Sequence, residues 1–199
     1  ELVRTFRGHA HSVRCLSFRD NVLVSGANDM TVRIWDVETG EFKRVLERHA
    51  LPVIALAVDW KSSRIFSTDG RCIRVWDINS GKCLQTVNAP ATQMVFDPKL
   101  RRVVLAYGAS LHTWNPDEQP AKIRDLPGMQ SMQLRRDDKL VIRGQRGMHL
   151  FDFANRNLVQ LFRPNAYLSA SWCDYRRLFC VHHSGPDQSL TICDFAPRL

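Results

Sequence analysis

Thr31-Val32-Arg33-Ile34-Trp35-Asp36 is an alternating apolar stretch that ends on an aromatic and an acidic residue, and the pattern returns along the chain. It recurs as Cys72-Ile73-Arg74-Val75-Trp76-Asp77. Looser copies follow as Leu111-His112-Thr113-Trp114-Asn115, Met148-His149-Leu150-Phe151-Asp152 and Leu190-Thr191-Ile192-Cys193-Asp194. The intervals between Trp35, Trp76, Trp114, Phe151 and Cys193 are 41, 38, 37 and 42 residues. A period near 40 with one such pair per unit is the mark of four-stranded blades arrayed in a ring.

Each unit carries the local signals of a meander of short strands. In the first, Val13 to Phe18, Val22 to Gly26, Thr31 to Trp35 and Phe42 to Leu46 are strand-length and rich in Val, Ile, Leu or Phe. Asp20-Asn21 and Ala27-Asn28-Asp29 supply turn residues that bond their own backbone, and Gly40 supplies a position where positive φ is expected. The second unit repeats the scheme with Val53 to Val58, Arg64 to Ser67, Cys72 to Trp76 and Lys82 to Val87, with Gly81 in the turn that matches Gly40. No long segment keeps a 3.6-residue apolar period, so very little helix is expected. The expected fold is an all-β propeller of four-stranded antiparallel blades, five in this chain. The repeats fall at about 1–41, 42–81, 82–120, 121–156 and 157–199. Leu2 to Phe6 is expected to be an outer strand that completes the last blade and so removes an open sheet edge.

Gly8-His9, Ser25-Gly26-Ala27-Asn28-Asp29 and Trp35-Asp36 together make the chain resemble the WD-repeat (WD40) β-propeller family. The resemblance implies a hydrogen-bonded set of His9, Ser25, Asp29 and Trp35 that fastens the first blade, with His49 and Trp76 as counterparts in the second. Such turns are buried between blades, and their polar groups need partners. The match weakens along the chain. Arg48 replaces the glycine before His49, and the shorter turn Ser67-Thr68-Asp69-Gly70 shifts Asp69 by one position. The third unit keeps only Trp114, the fourth has no Asp aligned with Asp29, and in the fifth Cys193 replaces the aromatic donor. The last three blades are therefore expected to lean on apolar packing and to be the less stable part. Rings of this family more commonly have seven blades, which implies either that five close by themselves or that the chain is part of a seven- or eight-bladed ring. A start without Met points to a longer protein in which further blades or an adaptor domain come first.

Composition narrows the functional classes. The 199 residues are 44% hydrophobic and 24% charged, as in ordinary folded domains. No stretch approaches the length needed to cross a bilayer, and Glu1-Leu2-Val3-Arg4-Thr5-Phe6 lacks the features of a signal peptide. An intracellular protein of cytoplasm or nucleus, with no membrane partner, is expected. The net charge of +8 is spread along the chain, and no basic run with interleaved aromatics occurs. Cys15, Cys72, Cys83, Cys173, Cys180 and Cys193 include no pair with zinc-knuckle or redox spacing, so they are expected to be small buried hydrophobes.

Neither a catalytic site nor a metal or cofactor is expected. His182-His183-Ser184 and His149-Leu150-Phe151-Asp152 match no nucleophile elbow or zinc pattern, and Gly144-Gln145-Arg146-Gly147 lacks the spacing and Lys-Ser/Thr of a phosphate loop. Binding remains. Positions that open the innermost strands align as Arg14, Ile54, Thr92, Gln130 and Leu168, with Asn28 in the neighbouring turn, and form the candidate partner-binding face. The first units are closest in pattern to F-box/WD-repeat proteins, and that likeness implies a scaffold or adaptor in a larger complex, such as the substrate-binding propeller of a ubiquitin ligase that takes acidic or phosphorylated peptides. The alternative is an RNA-associated subunit of a ribonucleoprotein particle, whose phosphates would meet Arg14, Arg101, Arg102, Arg135 and Arg136.

Overall fold

The computed structural model describes residues 4–116, 118–126, 129–134, 139–144, 147–153, 157–162, 167–173, 177–184 and 187–194, and from residue 159 onward by backbone pairing. All the regular structure among these residues is β. The strands are β1 (Val13–Arg19), β2 (Val22–Ala27), β3 (Thr31–Asp36), β4 (Phe42–Glu47), β5 (Ala55–Asp59), β6 (Arg64–Thr68) and β7 (Ile73–Asp77). They continue as β8 (Cys83–Val87), β9 (Gln93–Asp97), β10 (Arg102–Tyr107), β11 (Ser110–Trp114), β12 (Ala121–Asp125) and β13 (Met129–Leu134). The last are β14 (Lys139–Gly144), β15 (Gly147–Asp152), β16 (Leu158–Phe162), β17 (Tyr167–Cys173), β18 (Arg177–Ser184) and β19 (Asp187–Asp194). Among the described residues no helix is long and apolar enough to cross a membrane.

Consecutive strands pair antiparallel into four four-stranded sheets, β1 to β4, β5 to β8, β9 to β12 and β13 to β16, and one three-stranded sheet, β17 to β19. Each sheet is one of the five expected blades. Arg4 to Phe6 lie outside any strand, while residues 1–3 of the expected closing strand fall outside the described residues. Gly40 and Gly81 stand at φ 76° and 72° in the equivalent turns after β3 and β7, where a side chain would be strained.

The chain divides into two compact units, residues 1–125 and residues 126–199. In the first unit β1 packs beside β5 and β5 beside β9, so the first three blades stand side by side. The second blade is buried on both faces, and the period of two sorts its side chains between neighbours. Leu56, Val58, Ile65 and Trp76 join Val24, Ile34 and Leu46 of the first blade in one cluster. Ala55, Ala57, Phe66 and Val75 join Met94, Val103, Leu105 and Trp114 of the third in another. Double burial explains why Ala55-Leu56-Ala57-Val58 reads as an unbroken apolar run. In the second unit Leu140, Ile142 and Phe151 are fully buried.

Candidate partner-binding face

The first blade is fastened by a relay of polar groups. Trp35 Nε1 donates to Ser25 Oγ at 2.8 Å, and Ser25 Oγ lies 2.7 Å from His9 Nε2. His9 Nδ1 lies 2.7 Å from Asp29 Oδ2. Because a carboxylate only accepts, Nδ1 carries the proton and Nε2 accepts from the serine hydroxyl. Asp29 also accepts the backbone N–H groups of Ala10 and Thr31 and the Thr31 hydroxyl. Burial pushes the Asp29 carboxyl up, but the hydrogen bonds from Thr31, His9 and Ala10 outweigh it and hold the group at about 2. The same pairings that fasten the turn thus keep Asp29 charged and turned away from any visitor.

The second blade builds the same relay through a shorter turn. Trp76 Nε1 donates to Ser67 Oγ at 2.8 Å, Ser67 Oγ lies 2.7 Å from His49 Nε2, and His49 Nδ1 lies 3.1 Å from Asp69 Oδ2. The shift of Asp69 by one position is absorbed by the turn, where its other oxygen accepts the N–H groups of Arg71 and Cys72. Where Thr31 stands in the first blade, four residues before the tryptophan, the second has Cys72. Burial lowers the His49 pKa, and burial of Asp69 is outweighed by bonds from Cys72, Arg71 and His49 that hold it at about 2.

The relay stops there because its acceptor is missing. Strand pairing puts Leu105, Ile142 and Cys180 at the position of Ser25 and Ser67. In the third blade Trp114 Nε1 is redirected to the Glu118 carbonyl at 3.0 Å. Cys15, Cys72 and Cys83 are free and only partly buried, which differs from the expectation of small buried hydrophobes, and the side chains of Cys173, Cys180 and Cys193 fall outside the described residues. Burial nevertheless pushes the Cys15 thiol up to about 12, against the Gly26 carbonyl contact and the Arg14 charge, so the thiol form is favoured.

Antiparallel pairing places the start of each innermost strand beside the turn that joins its second and third strands. Backbone bonds tie these ends together: Asn28 N–H to Ser12 O, Val53 N–H to Ala27 O, Ile54 N–H to Thr68 O and Thr92 N–H to Ala106 O. In the first unit this end carries Arg14 and Thr92 exposed, with Asn28 and Ile54 half-buried. Gln130 lies in β13 and Leu168 in β17, where their side chains fall outside the described residues. One position is corrected by the register. The extra residue of the bulge between Leu168 and Ala170 makes Ser169, not Leu168, equivalent to Arg14.

Three further residues complete this end, and sequence reasoning passed over them. Met30 is 44% exposed in the turn after β2, Tyr107 is 49% exposed as the last residue of β10, and Arg71 is exposed in the turn after β6. Their signal was a large apolar or cationic residue in or beside a hairpin turn, where small polar residues are usual. Within the hairpin turns and the starts of the innermost strands the exposed charges, Arg14 and Arg71, are positive and the acids Asp29 and Asp69 are drawn into the relays, while the outer strands finish at the same end on exposed Glu47, opposite Thr31, and Asp125, bonded to Ser110.

The opposite end has the reverse bookkeeping. Arg101 Nη2 reaches Asp59 Oδ2 at 2.9 Å across the boundary between the second and third blades, and Arg102 Nε lies 3.3 Å from Asp97 Oδ2. Both acids are buried. Arg101 and Arg102 follow the end of β9, whereas Arg14 stands at the start of β1, so these three do not share one face. Arg135 and Arg136 lie outside the described residues.

Comparison with known proteins agrees with this geometry. The family model for the WD domain, G-beta repeat, matches residues 1–36 and 40–77. A probable E3 ubiquitin ligase complex SCF subunit sconB of Talaromyces stipitatus is 54% identical over 44 residues, which are 22% of this chain and 7% of that protein. THO complex subunit 6 of Arabidopsis thaliana is 29% identical over 103 residues, covering 48% of this chain and 28% of that one. The chain therefore spans less than a third of the length of these relatives. Solved WD40 repeats of RRP9 superpose with a TM-score of 0.80 at 19% identity, over 97% of this chain and 63% of that chain, which shows the propeller fold.

Proposed function

Since the chain belongs to the WD-repeat β-propeller family, whose members serve as non-enzymatic scaffolds, we propose that it is the docking propeller of an intracellular multiprotein complex. It holds an acidic or phosphorylated segment of a partner against the end of residues 1–125 where β1, β5 and β9 begin. The observation that carries this reading is that end's composition: Arg14 and Arg71 exposed beside Met30, Tyr107 and Thr92, with Asp29 and Asp69 withdrawn into the relays. Apolar anchors beside two exposed cations, set inside the outer-strand acids Glu47 and Asp125, suit a peptide that carries both a hydrophobic residue and negative charge.

Within that class, the substrate-binding propeller of a ubiquitin ligase is the finer reading. It is supported by the short likeness to the sconB subunit and by Arg14 at the mouth of the first blade. The RNA-associated reading is weaker, since Arg101 and Arg102 are engaged with buried Asp59 and Asp97 and lie at the other end.

Affinity capture with the chain as bait tests the proposal, using the Arg14→Ala/Arg71→Ala/Tyr107→Ala variant and an Arg19→Ala control at the opposite end. The expected result is loss of partners from the triple variant alone, with capture falling as salt rises. Equal capture by all three baits, or loss on nuclease treatment, would overturn it.

A further inference from the structure

The polar relay of the second blade departs from that of the first in one respect that points to a ligand. In the first blade Thr31 closes the turn with a hydroxyl bond of 2.7 Å to Asp29, and His9 lies 2.7 Å from the same carboxylate. In the second, Cys72 takes the threonine's place, its Sγ stands 3.6 Å from Asp69 Oδ2, and the His49 contact opens to 3.1 Å. One carboxylate oxygen thus faces an imidazole nitrogen and a thiol, and the three ligand atoms lie within 4.8 Å of one another.

We propose that His49 Nδ1, Asp69 Oδ2 and Cys72 Sγ form a three-ligand site for a divalent zinc ion. Tetrahedral zinc with ordinary bond lengths holds nitrogen and oxygen ligands about 3.4 Å apart, and oxygen and sulfur about 3.6 Å apart. The nitrogen–oxygen and oxygen–sulfur separations of 3.1 and 3.6 Å need little adjustment, and the nitrogen–sulfur pair, within 4.8 Å, would close to about 3.6 Å. Nitrogen, thiolate and carboxylate donors are the set that zinc accepts, and the calcium and magnesium class is disfavoured by the sulfur. With three protein ligands the fourth position would be left to a water, and Cys72 is the least buried of the three.

The protons balance. Before binding, Nδ1–H donates to Asp69 and Ser67 donates to Nε2. On binding, the imidazole proton moves to Nε2 and is donated to Ser67 Oγ, which already accepts from Trp76, so the Ser67 hydroxyl hydrogen rotates away from the ring, while the Cys72 thiol releases its proton to solvent. One proton leaves per zinc, and the site gains one positive charge net. Burial and the Asp69 charge push the Cys72 thiol up, with the Arg74 guanidinium pulling the other way, so zinc itself must displace the thiol proton; burial, with Arg74, works against the imidazolium at His49 and leaves the ring neutral for ligation.

Titration of the full chain with zinc ion alone, read by calorimetry and by proton release in two buffers, tests the site. The expected result is one zinc and one proton per chain, with a cobalt-substituted form that shows a thiolate charge-transfer band. Cys72→Thr restores the residue of the first blade and is expected to fold, yet to lose at least about tenfold in zinc affinity together with the cobalt band. Cys83→Ser is expected to change neither. Absence of zinc uptake, or uptake unchanged by Cys72→Thr, would overturn the proposal.

Discussion

At the scale of residues, Asp29 and Asp69 illustrate how a buried charge is kept by counting its donors. Each is held at about 2 against an ordinary value of 3.8, so each contributes stability that is complete above pH 4 and lost as the pH falls toward 2. The shift corresponds to about 2 kcal/mol per group. His49 acts earlier on the scale. Its pKa is lowered by burial, so its share of stability is complete above the ordinary value of 6.5 and declines below it. Urea denaturation across pH is therefore expected to weaken in two stages, first below 6.5 and again below 4. Asp29→Asn is expected to cost about 2 kcal/mol at pH 7 and to flatten the second stage. A variant as stable as the parent at pH 7 would show that the His9–Asp29 contact is incidental.

At the scale of elements, blades are joined by close contact and by single polar stitches. A β-carbon at Gly26 would meet Val53 Cγ1 at 2.6 Å and Cys15 Sγ at 2.8 Å, between the first two blades. Gly26→Ala is expected to destabilise by about 1–3 kcal/mol, whereas Gly108→Ala, which meets nothing within 4 Å, carries only the backbone strain of φ 56°. Arg101→Ala removes the stitch to Asp59, and because Asp59 keeps bonds from Lys61, Ser62 and the Ser62 hydroxyl, a loss of about 1 kcal/mol is expected by thermal melting. Amides of β2, β3, β6 and β7 are expected to exchange more slowly than those of β14 and β15, where Ile142 has replaced the serine. Equal protection would mean that apolar packing alone sets blade stability.

The strands were legible because Trp35, Trp76, Trp114, Phe151 and Cys193 mark the third strand of each unit, and turn residues mark the gaps between. What escaped was local. Spacing alone displaced Asp69, since a turn one residue shorter can still deliver the carboxylate. Spacing also assigned Leu168 where a bulge puts Ser169, because an unpaired residue leaves no trace in composition. The face residues Met30, Arg71 and Tyr107 became visible only once burial separated turns that fill a seam from turns that open to solvent.

At the scale of the molecule, the net charge of +8 says less than its arrangement. In residues 1–125 the start of the innermost strands presents Arg14 and Arg71 without exposed acids in their turns, and the opposite end spends Arg101 and Arg102 on buried aspartates. The inner part of one end thus offers Arg14 and Arg71 to an acidic partner, while at the other end Arg101 ties two blades together. Residues 126–199 form a compact unit of their own, whose own blades carry Gln130 and Ser169 at the positions equivalent to Arg14. Hydrogen–deuterium exchange of the chain with and without its captured partner tests this polarity most directly. Protection is expected at residues 10–14, 28–31, 70–72 and 107–110. Protection confined to residues 19–22, 60–63 and 98–101 would contradict it.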